Sequence, residues 1–310
     1  MTRAAALRIG FPFLLVVLLW AVGGLLLPGF AALGHLRYML ELAAVVGLVA
    51  AGQTVAVIGG GIDLSVAAVM TVAAILPPLL ALPADGSGLL AILLTLVVAT
   101  AIGTLNGVGI GLLEIHPLIM TLATATILQG LLVLIAGGTA VSSTNPALAW
   151  LGMANVLGIP AGILVWLALS LAVLAWLHGT RQGAMIFAIG TNPLASRLAG
   201  VPVGRVTLAI YAACGFCAGL AGLMALAMNG QGYVGIGDPY LLGSIAAVVL
   251  GGTPILGGRG SYVGTIAGAI LLITMTALIT VVNASAAWRS ILFGCLILAL
   301  LPLSGREVRR

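Results

Sequence analysis

Charged side chains are scarce in this sequence. Asp, Glu, Lys and Arg make up 5% of its 310 residues, while 62% of the residues are hydrophobic. An ordinary globular protein carries about 25% charged residues. A chain with so few charges has too little polar surface to face water on all sides, so lipid must be the solvent for most of it. The composition therefore predicts an all-α integral membrane protein.

Lysine is absent, because all 11 basic residues are arginines. This absence excludes a Walker A phosphate loop, a Schiff base and a lysine general base. If ATP drives the protein, ATP and Mg²⁺ bind a partner subunit, and we expect no cofactor in this chain. The arginines are scattered singly, which argues against a nucleic-acid partner.

Clusters that would support catalysis or metal binding are also missing from the sequence. His35, His116 and His178 lie far apart, and Cys214 and Cys217 lie within an apolar run that favours buried packing. We therefore predict no catalytic residue and no metal ligand, and an intramembrane enzyme is the weakest alternative.

Long apolar runs occupy most of the chain, and reading them in stretches of about 20 residues predicts about ten transmembrane helices in one transmembrane domain, 1–310. Proline and glycine interrupt the third (Pro77, Pro78) and the eighth (Gly251, Gly252, Pro254), so some spans are expected to be broken or re-entrant. The predicted spans are 9–27, 38–58, 64–83, 88–112, 117–137, 160–178, 206–228, 239–256, 261–282 and 287–303.

The placement of arginine predicts the orientation. With ten spans and both termini in the cytoplasm, nine arginines face the cytoplasm and only Arg37 and Arg289 lie outside, as the positive-inside rule requires. The longest connections are then 138–159, which is extracytoplasmic, and 179–205, which is cytoplasmic. The nine inner arginines are Arg3, Arg8, Arg181, Arg197, Arg205, Arg259, Arg306, Arg309 and Arg310.

The cytoplasmic connection contains the signals of a short helix. Asn192-Pro193 is typical of an N-cap followed by proline in the first turn, and Gly200 is typical of the residue after a helix end. The predicted helix, 193–199, places Leu194 and Leu198 on one face. It is too short to be stable alone, so it either packs on its own transmembrane helices or docks in a groove of a cytoplasmic partner.

Four polar residues are candidates for a translocation path or gate, because polar groups are costly inside a membrane. Gln53, Asn106 and Gln129 lie in predicted spans, and Asp63 precedes the third span. Simpler interpretations are an N-cap for Asp63 and interhelical hydrogen bonds for the three amides. Glycines spaced four apart at 103/107 and 215/219 predict close helix packing.

Four stretches, taken together and in order, resemble the permease subunits of sugar-type ABC importers, the family of the ribose, galactose and xylose importers. They are GGGIDLSVAAVM (59–70), GTLNGVGIGLLEIHPLIMTLAT (103–124), AIGTNPLASRLAGVPVGRV (188–206) and SIAAVVLGGTPILGGRGSYVGTIAGAILL (244–272).

That resemblance implies a permease in the inner membrane that pairs with a second copy or a paralogue. It also implies two further partners, a cytoplasmic ATPase subunit and a periplasmic binding protein that delivers a sugar or sugar-like molecule. The residues expected to dock the ATPase are Asn192, Pro193, Leu194, Ser196, Arg197, Leu198 and Gly200.

The sequence leaves two other functions open. An ion-coupled secondary transporter with ten helices has the same length and number of spans, although no central charged pair for coupling to an ion gradient is present. A branched-chain amino-acid or nucleoside ABC permease of related architecture is the other alternative.

Overall fold

A computed structural model describes residues 3–80, 87–143 and 145–281, together with residues 288, 291, 294 and 295. Nearly all of the predicted tenth span, 287–303, lies outside these residues. So do the arginines that follow it, Arg306, Arg309 and Arg310, and Arg289.

Helices dominate the part of the chain that is described. They are α1 Arg3–Leu26, α2 Leu33–Ile58, α3 Val66–Leu80, α4 Ser87–Gly111, α5 Pro117–Ala136, α6 Pro146–Met153, α7 Ala161–Gly179, α8 Arg181–Thr191, α9 Pro193–Leu198, α10 Val203–Asn229, α11 Asp238–Leu250 and α12 Tyr262–Val281. Four two-residue strands form two antiparallel pairs, β1 (Val141–Ser142) with β4 (Gln231–Gly232) and β2 (Asn155–Val156) with β3 (Ile159–Pro160).

Six of the described helices, α2, α4, α5, α7, α10 and α12, are long and apolar enough to cross a membrane, and three apolar segments are shorter. Helix α3 has 15 residues and α11 has 13, so they are about 22 and 20 Å long, against about 30 Å of hydrocarbon. Helix α3 continues through Pro77 and Pro78 to Leu80, whereas α11 ends at Leu250, before the glycines at which a break was predicted.

Helix α2 lies at the centre of the bundle, and every residue from Ala43 to Ile58 is buried. The Tyr262 hydroxyl at the start of α12 donates to the Gly47 carbonyl of α2 at 2.9 Å and accepts from the indole nitrogen of Trp166, on α7, at 3.0 Å. Thr54 of α2 also bonds to Thr265 of α12 at 2.9 Å. These buried bonds fix three helices around a segment that has almost no other polar groups.

Glycines allow α4 and α10 to pack with their backbones in contact, as the spacing at 103/107 and 215/219 predicted. A Cβ on Gly103 would lie 2.9 Å from the α-carbon of Gly215, and one on Gly107 would lie 2.6 Å from the α-carbon of Leu208. Alanine at either position would therefore push the two helices apart.

The two long connections contain more structure than the sequence indicated. Residues 138–159 hold α6, the strands β1 and β2 and the first residue of β3, and residues 179–205 hold α8 and the start of α10 as well as α9. Helix α8 begins at Arg181, where the Thr180 hydroxyl accepts a bond from the Gly183 amide at 3.0 Å and so supplies an N-cap.

Candidate functional site

Helix α9 has the cap that the sequence predicted. The Asn192 side chain accepts a bond from the Ala195 amide at 2.9 Å, Pro193 is the first helical residue, and Gly200 follows the helix with φ +82°. This left-handed conformation is one that glycine adopts without strain. The helix and its caps are confirmed, although it ends at Leu198 instead of 199.

The two leucines of α9 are presented to the outside of the molecule. Leu194 is 68% exposed and Leu198 is 82% exposed, whereas Ser196 between them is buried. Two exposed leucines on a six-residue helix form an apolar knob, which is the geometry that a helix uses to enter a groove on a partner.

A junction made almost entirely of backbone joins α8 to the rest of the protein. The Gly190 α-carbon packs directly against the Ile58 carbonyl at the end of α2, where a Cβ would overlap it. A Cβ on Gly258 would lie 2.9 Å from the α-carbon of Thr191, and one on Gly257 would lie 2.8 Å from that of Gly60. The end of α8, the segment after α2 and the segment before α12 therefore meet mainly through backbone atoms, with the Thr191 hydroxyl beside Gly258. We call this the glycine junction (Ile58, Gly60, Gly190, Thr191, Gly257 and Gly258).

Two of the predicted polar residues, Asp63 and Asn106, belong to one hydrogen-bond network. Asp63 Oδ1 accepts from the Ser65 amide at 2.8 Å and from the Ser65 hydroxyl at 2.6 Å. Asn106 Nδ2 donates to the same hydroxyl at 2.9 Å, and Asn106 Oδ1 accepts from the Thr124 hydroxyl at 2.6 Å. The network thus links the segment before α3 to α4 and α5.

Asp63 is 1% exposed and lies in the connection between α2 and α3, outside the spanning helices. Burial raises the pKa of its carboxyl to about 6, although the two bonds from Ser65 oppose that rise. A further bond, from the Leu64 amide to the Thr121 hydroxyl at 3.1 Å, attaches the same segment to α5. The two bonds from Ser65 to Asp63 form a tight turn before α3. Asn106 of α4 and Thr121 of α5 bond to the residues of this turn and so attach it to both helices.

The other two predicted residues lie apart from this network. Gln53 is completely buried in α2, and neither of its amide atoms bonds to any residue that the structure describes. Gln129 is exposed on α5, which has four buried residues and presents the rest of its surface outward. An amide side chain facing lipid would be costly.

Sequence reasoning did not find the ion pair between Arg197 and Glu114, whose side-chain atoms Nη2 and Oε1 lie 2.9 Å apart. The two residues are 83 positions apart. Nothing in the local pattern of either segment signals the contact. Within the described residues, no group of three or more His, Cys, Asp or Glu could hold a metal ion.

Long apolar helices around a buried polar network, with an exposed apolar helix at one end, define a multi-pass membrane protein with the form of a transport subunit. Residues 36–301 match the family described as the branched-chain amino acid transport system / permease component. The chain belongs to this family of importer permeases, so it is a multi-pass protein of the inner membrane, and the resemblance seen in its motifs is confirmed.

Several curated proteins are similar over most of their length. The ribose import permease protein of Escherichia coli K12 is 32% identical, over 83% of this chain and 81% of the relative's length. The ribose import permease protein of Bacillus subtilis is 31% identical, over 96% of this chain and 92% of the relative's length. The fructose import permease protein of Bifidobacterium longum is 35% identical over 82% of this chain and 73% of its own. The autoinducer 2 import system permease protein of E. coli HS is 33% identical, over 74% of this chain and 70% of the relative's length. No solved structure matches the chain.

Proposed function

We propose that this permease subunit forms the path for a sugar or sugar-like molecule that a periplasmic binding protein delivers, and that ATP hydrolysis on a separate subunit drives the transport. The relatives named for ribose, fructose and autoinducer 2 support a small polar cargo. The absence of lysine supports the assignment of ATP and Mg²⁺ to a partner chain.

The proposed topology has ten spans with both termini in the cytoplasm, and the described arginines support it. Arg181, Arg197, Arg205 and Arg259 lie in segments that surround the glycine junction, whereas Arg37 lies in the first turns of α2, at the far end of that helix. The end of the bundle that carries α8 and α9 therefore faces the cytoplasm. The connection 138–159 then faces the binding protein.

The observation that carries the ATPase partner is the exposure of Leu194 and Leu198 on a capped helix at this cytoplasmic end. Exposing these two leucine side chains to water is unfavourable. A partner that covered them would gain about 25 cal/mol of free energy for each Å² of apolar surface buried. We assign α9 and its flanking caps, Asn192 to Gly200, to a groove on the ATPase. A connector packed on its own bundle would hide these leucines instead.

The translocation path is assigned to the polar residues. We assign the exposed Gln129 of α5 to the side that faces a second permease copy. Its side-chain amide has both hydrogen-bond donors and an acceptor, which suits a cargo with many hydroxyl groups. Gln53 lies deeper in the same path, and Asp63 with Asn106 forms the gate at the cytoplasmic end. A permease dimer, two ATPase subunits and one binding protein complete the proposed importer.

The experiment replaces both leucines, as Leu194→Asp with Leu198→Asp, and measures ATPase co-purification and ATP-driven uptake in proteoliposomes. Both are expected to be lost while membrane insertion is kept. Leu256→Asp is the matched control, because Leu256 is 62% exposed in the segment after α11, near the same end, and it should leave both readouts intact.

Normal uptake by the double variant would contradict the docking assignment. Uptake by the wild-type permease alone, driven by an ion gradient without any ATPase, would contradict the importer and favour the secondary transporter.

A further inference from the structure

Glu114 occupies an unusual backbone position in the turn between α4 and α5. Its φ is +55°, and it is one of two residues other than glycine with positive φ in the described part of the chain. The Ile115 amide bonds back to the Gly109 carbonyl at 3.0 Å, so Glu114 is the left-handed residue that closes helix α4. Glycine usually fills this position, and a residue with a Cβ costs about 1 kcal/mol more.

The side chain of this strained residue reaches α9. Glu114 Oε1 lies 2.9 Å from Arg197 Nη2, and the two side chains are 67% and 59% exposed. An exposed pair of this kind contributes about 0–1 kcal/mol to folding, so stability does not account for placing a glutamate where the backbone favours glycine. The geometry accounts for it differently: this turn brings the Glu114 carboxylate within 2.9 Å of Arg197 on α9.

The turn between α4 and α5 also connects to α10 and to the polar network of Asp63 and Asn106. Gly111, at the end of α4, packs against Gly204 at the start of α10: a Cβ on Gly204 would lie 2.7 Å from the Gly111 carbonyl oxygen. Beyond the turn, α5 carries Thr121 and Thr124, which bond to the Asp63 segment and to Asn106. A continuous series of contacts therefore connects Arg197 with the α4–α5 turn, α5 and the polar network, and it does not pass through the glycine junction.

We propose that Glu114 and Arg197 form a positioning tie, through which displacement of α9 is passed to the α4–α5 turn and hence to α5. The inference deepens the proposed function and rests on it, since the displacement is assigned to the docked ATPase. In this arrangement Leu194 and Leu198 face the partner, while Arg197 faces the permease itself. Neither residue of the tie touches cargo.

The tie itself is tested on the purified permease without any partner. Arg197→Glu places two carboxylates together, and we expect faster amide hydrogen exchange in residues 112–120, which lie about 80 positions away along the chain. The exchanged pair, Glu114→Arg with Arg197→Glu, should restore the wild-type exchange rate. Unchanged exchange in the single variant would overturn the tie.

The function of the tie is tested in proteoliposomes with the ATPase and the binding protein. Glu114→Arg, which changes no residue of the docking helix, should lower the maximal rate of ATP-driven uptake about five-fold or more, with ATPase co-purification and the KM for the loaded binding protein unchanged. The exchanged pair should recover the rate to within about two-fold.

Glu114→Gly separates charge from backbone strain. It should raise the thermal midpoint of the permease, because the strain is relieved, yet lower uptake, because the carboxylate is lost. Wild-type uptake by this variant, or no recovery by the exchanged pair, would overturn the tie. Failure of the wild-type permease to bind an ATPase, with the hydrogen-exchange effect present, would instead overturn the proposed function and leave the tie in place.

Discussion

The backbone amide of Gly258 donates a hydrogen bond to the carbonyl of Ile58 at 2.9 Å, and the α-carbon of Gly190 packs on that same carbonyl. A single peptide group at the end of α2 is thus the meeting point of α8 and the segment before α12. Because backbone cannot change rotamer to make room, movement of the α8–α9 unit must be accompanied by movement of α2 or by separation of the junction.

Gly190→Ala is expected to destabilise the permease by about 1–3 kcal/mol, because the new methyl group overlaps a carbonyl that has no alternative position. Gly179→Ala is the matched control, since Gly179 ends α7 nearby and a Cβ there meets nothing within 4 Å. Thermal unfolding of the two purified variants measures the difference. Equal midpoints would show that the junction is loosely packed.

Asn106→Leu should also cost about 1–3 kcal/mol, because it removes the donor to the buried Ser65 hydroxyl and the acceptor of the half-buried Thr124 hydroxyl, although Ser65 keeps its bond to Asp63. Thr100→Val is the control on the same helix. Thr100 donates only to its own Leu96 carbonyl at 2.7 Å, so its loss should have a much smaller effect. Comparable losses in the two variants, measured by thermal unfolding, would argue against a network that joins three segments.

Much of the fold could be predicted from apolar runs, because hydropathy reports directly which backbone must be helical in lipid. The spans predicted at 117–137, 160–178 and 261–282 match α5, α7 and α12 closely. Length was predicted less well. Helix α11 is shorter than its apolar run because a glycine turn at Gly251 and Gly252 follows Leu250.

The candidate site shows where sequence reasoning ends. Caps are local, so Asn192 and Gly200 could be read from a few neighbouring residues. The pairing of Asp63 with Asn106 and the contact of Glu114 with Arg197 depend on how distant helices pack, which no local pattern encodes. The same limit applies to Gly190: the sequence shows a glycine, and only the fold shows that a backbone carbonyl fills the place of its side chain.

Asp63→Asn should change how stability depends on pH. Because burial raises the pKa of Asp63 to about 6, the folded protein binds its proton more tightly than the unfolded chain does. Its contribution to stability is full below the ordinary pKa of 3.8 and is lost as the pH rises through about 6. Wild-type protein should therefore lose about 2 kcal/mol more than Asp63→Asn between about pH 4 and about pH 8.

Thermal midpoints of the two proteins across that pH range provide the measurement, and taking the difference removes every pH-dependent contribution that both proteins share. Parallel curves would show that the Asp63 carboxyl titrates near its ordinary pKa in the folded protein, which would contradict its burial beside Ser65.

Gln53→Leu separates structure from transport. In the part of the chain that is described, neither amide atom of Gln53 has a hydrogen-bond partner, and a buried unpaired polar group costs about 1–3 kcal/mol. Leucine of similar size should therefore keep or raise the thermal midpoint. Uptake should nevertheless fall, with a raised KM, because the proposed path loses an amide that serves the cargo.

Gln182→Leu is the contrast: Gln182 accepts a bond from the Trp176 indole nitrogen at 3.1 Å, so its loss should lower the midpoint. A lower midpoint for Gln53→Leu as well, with uptake per folded molecule unchanged, would assign Gln53 to helix packing and remove it from the path.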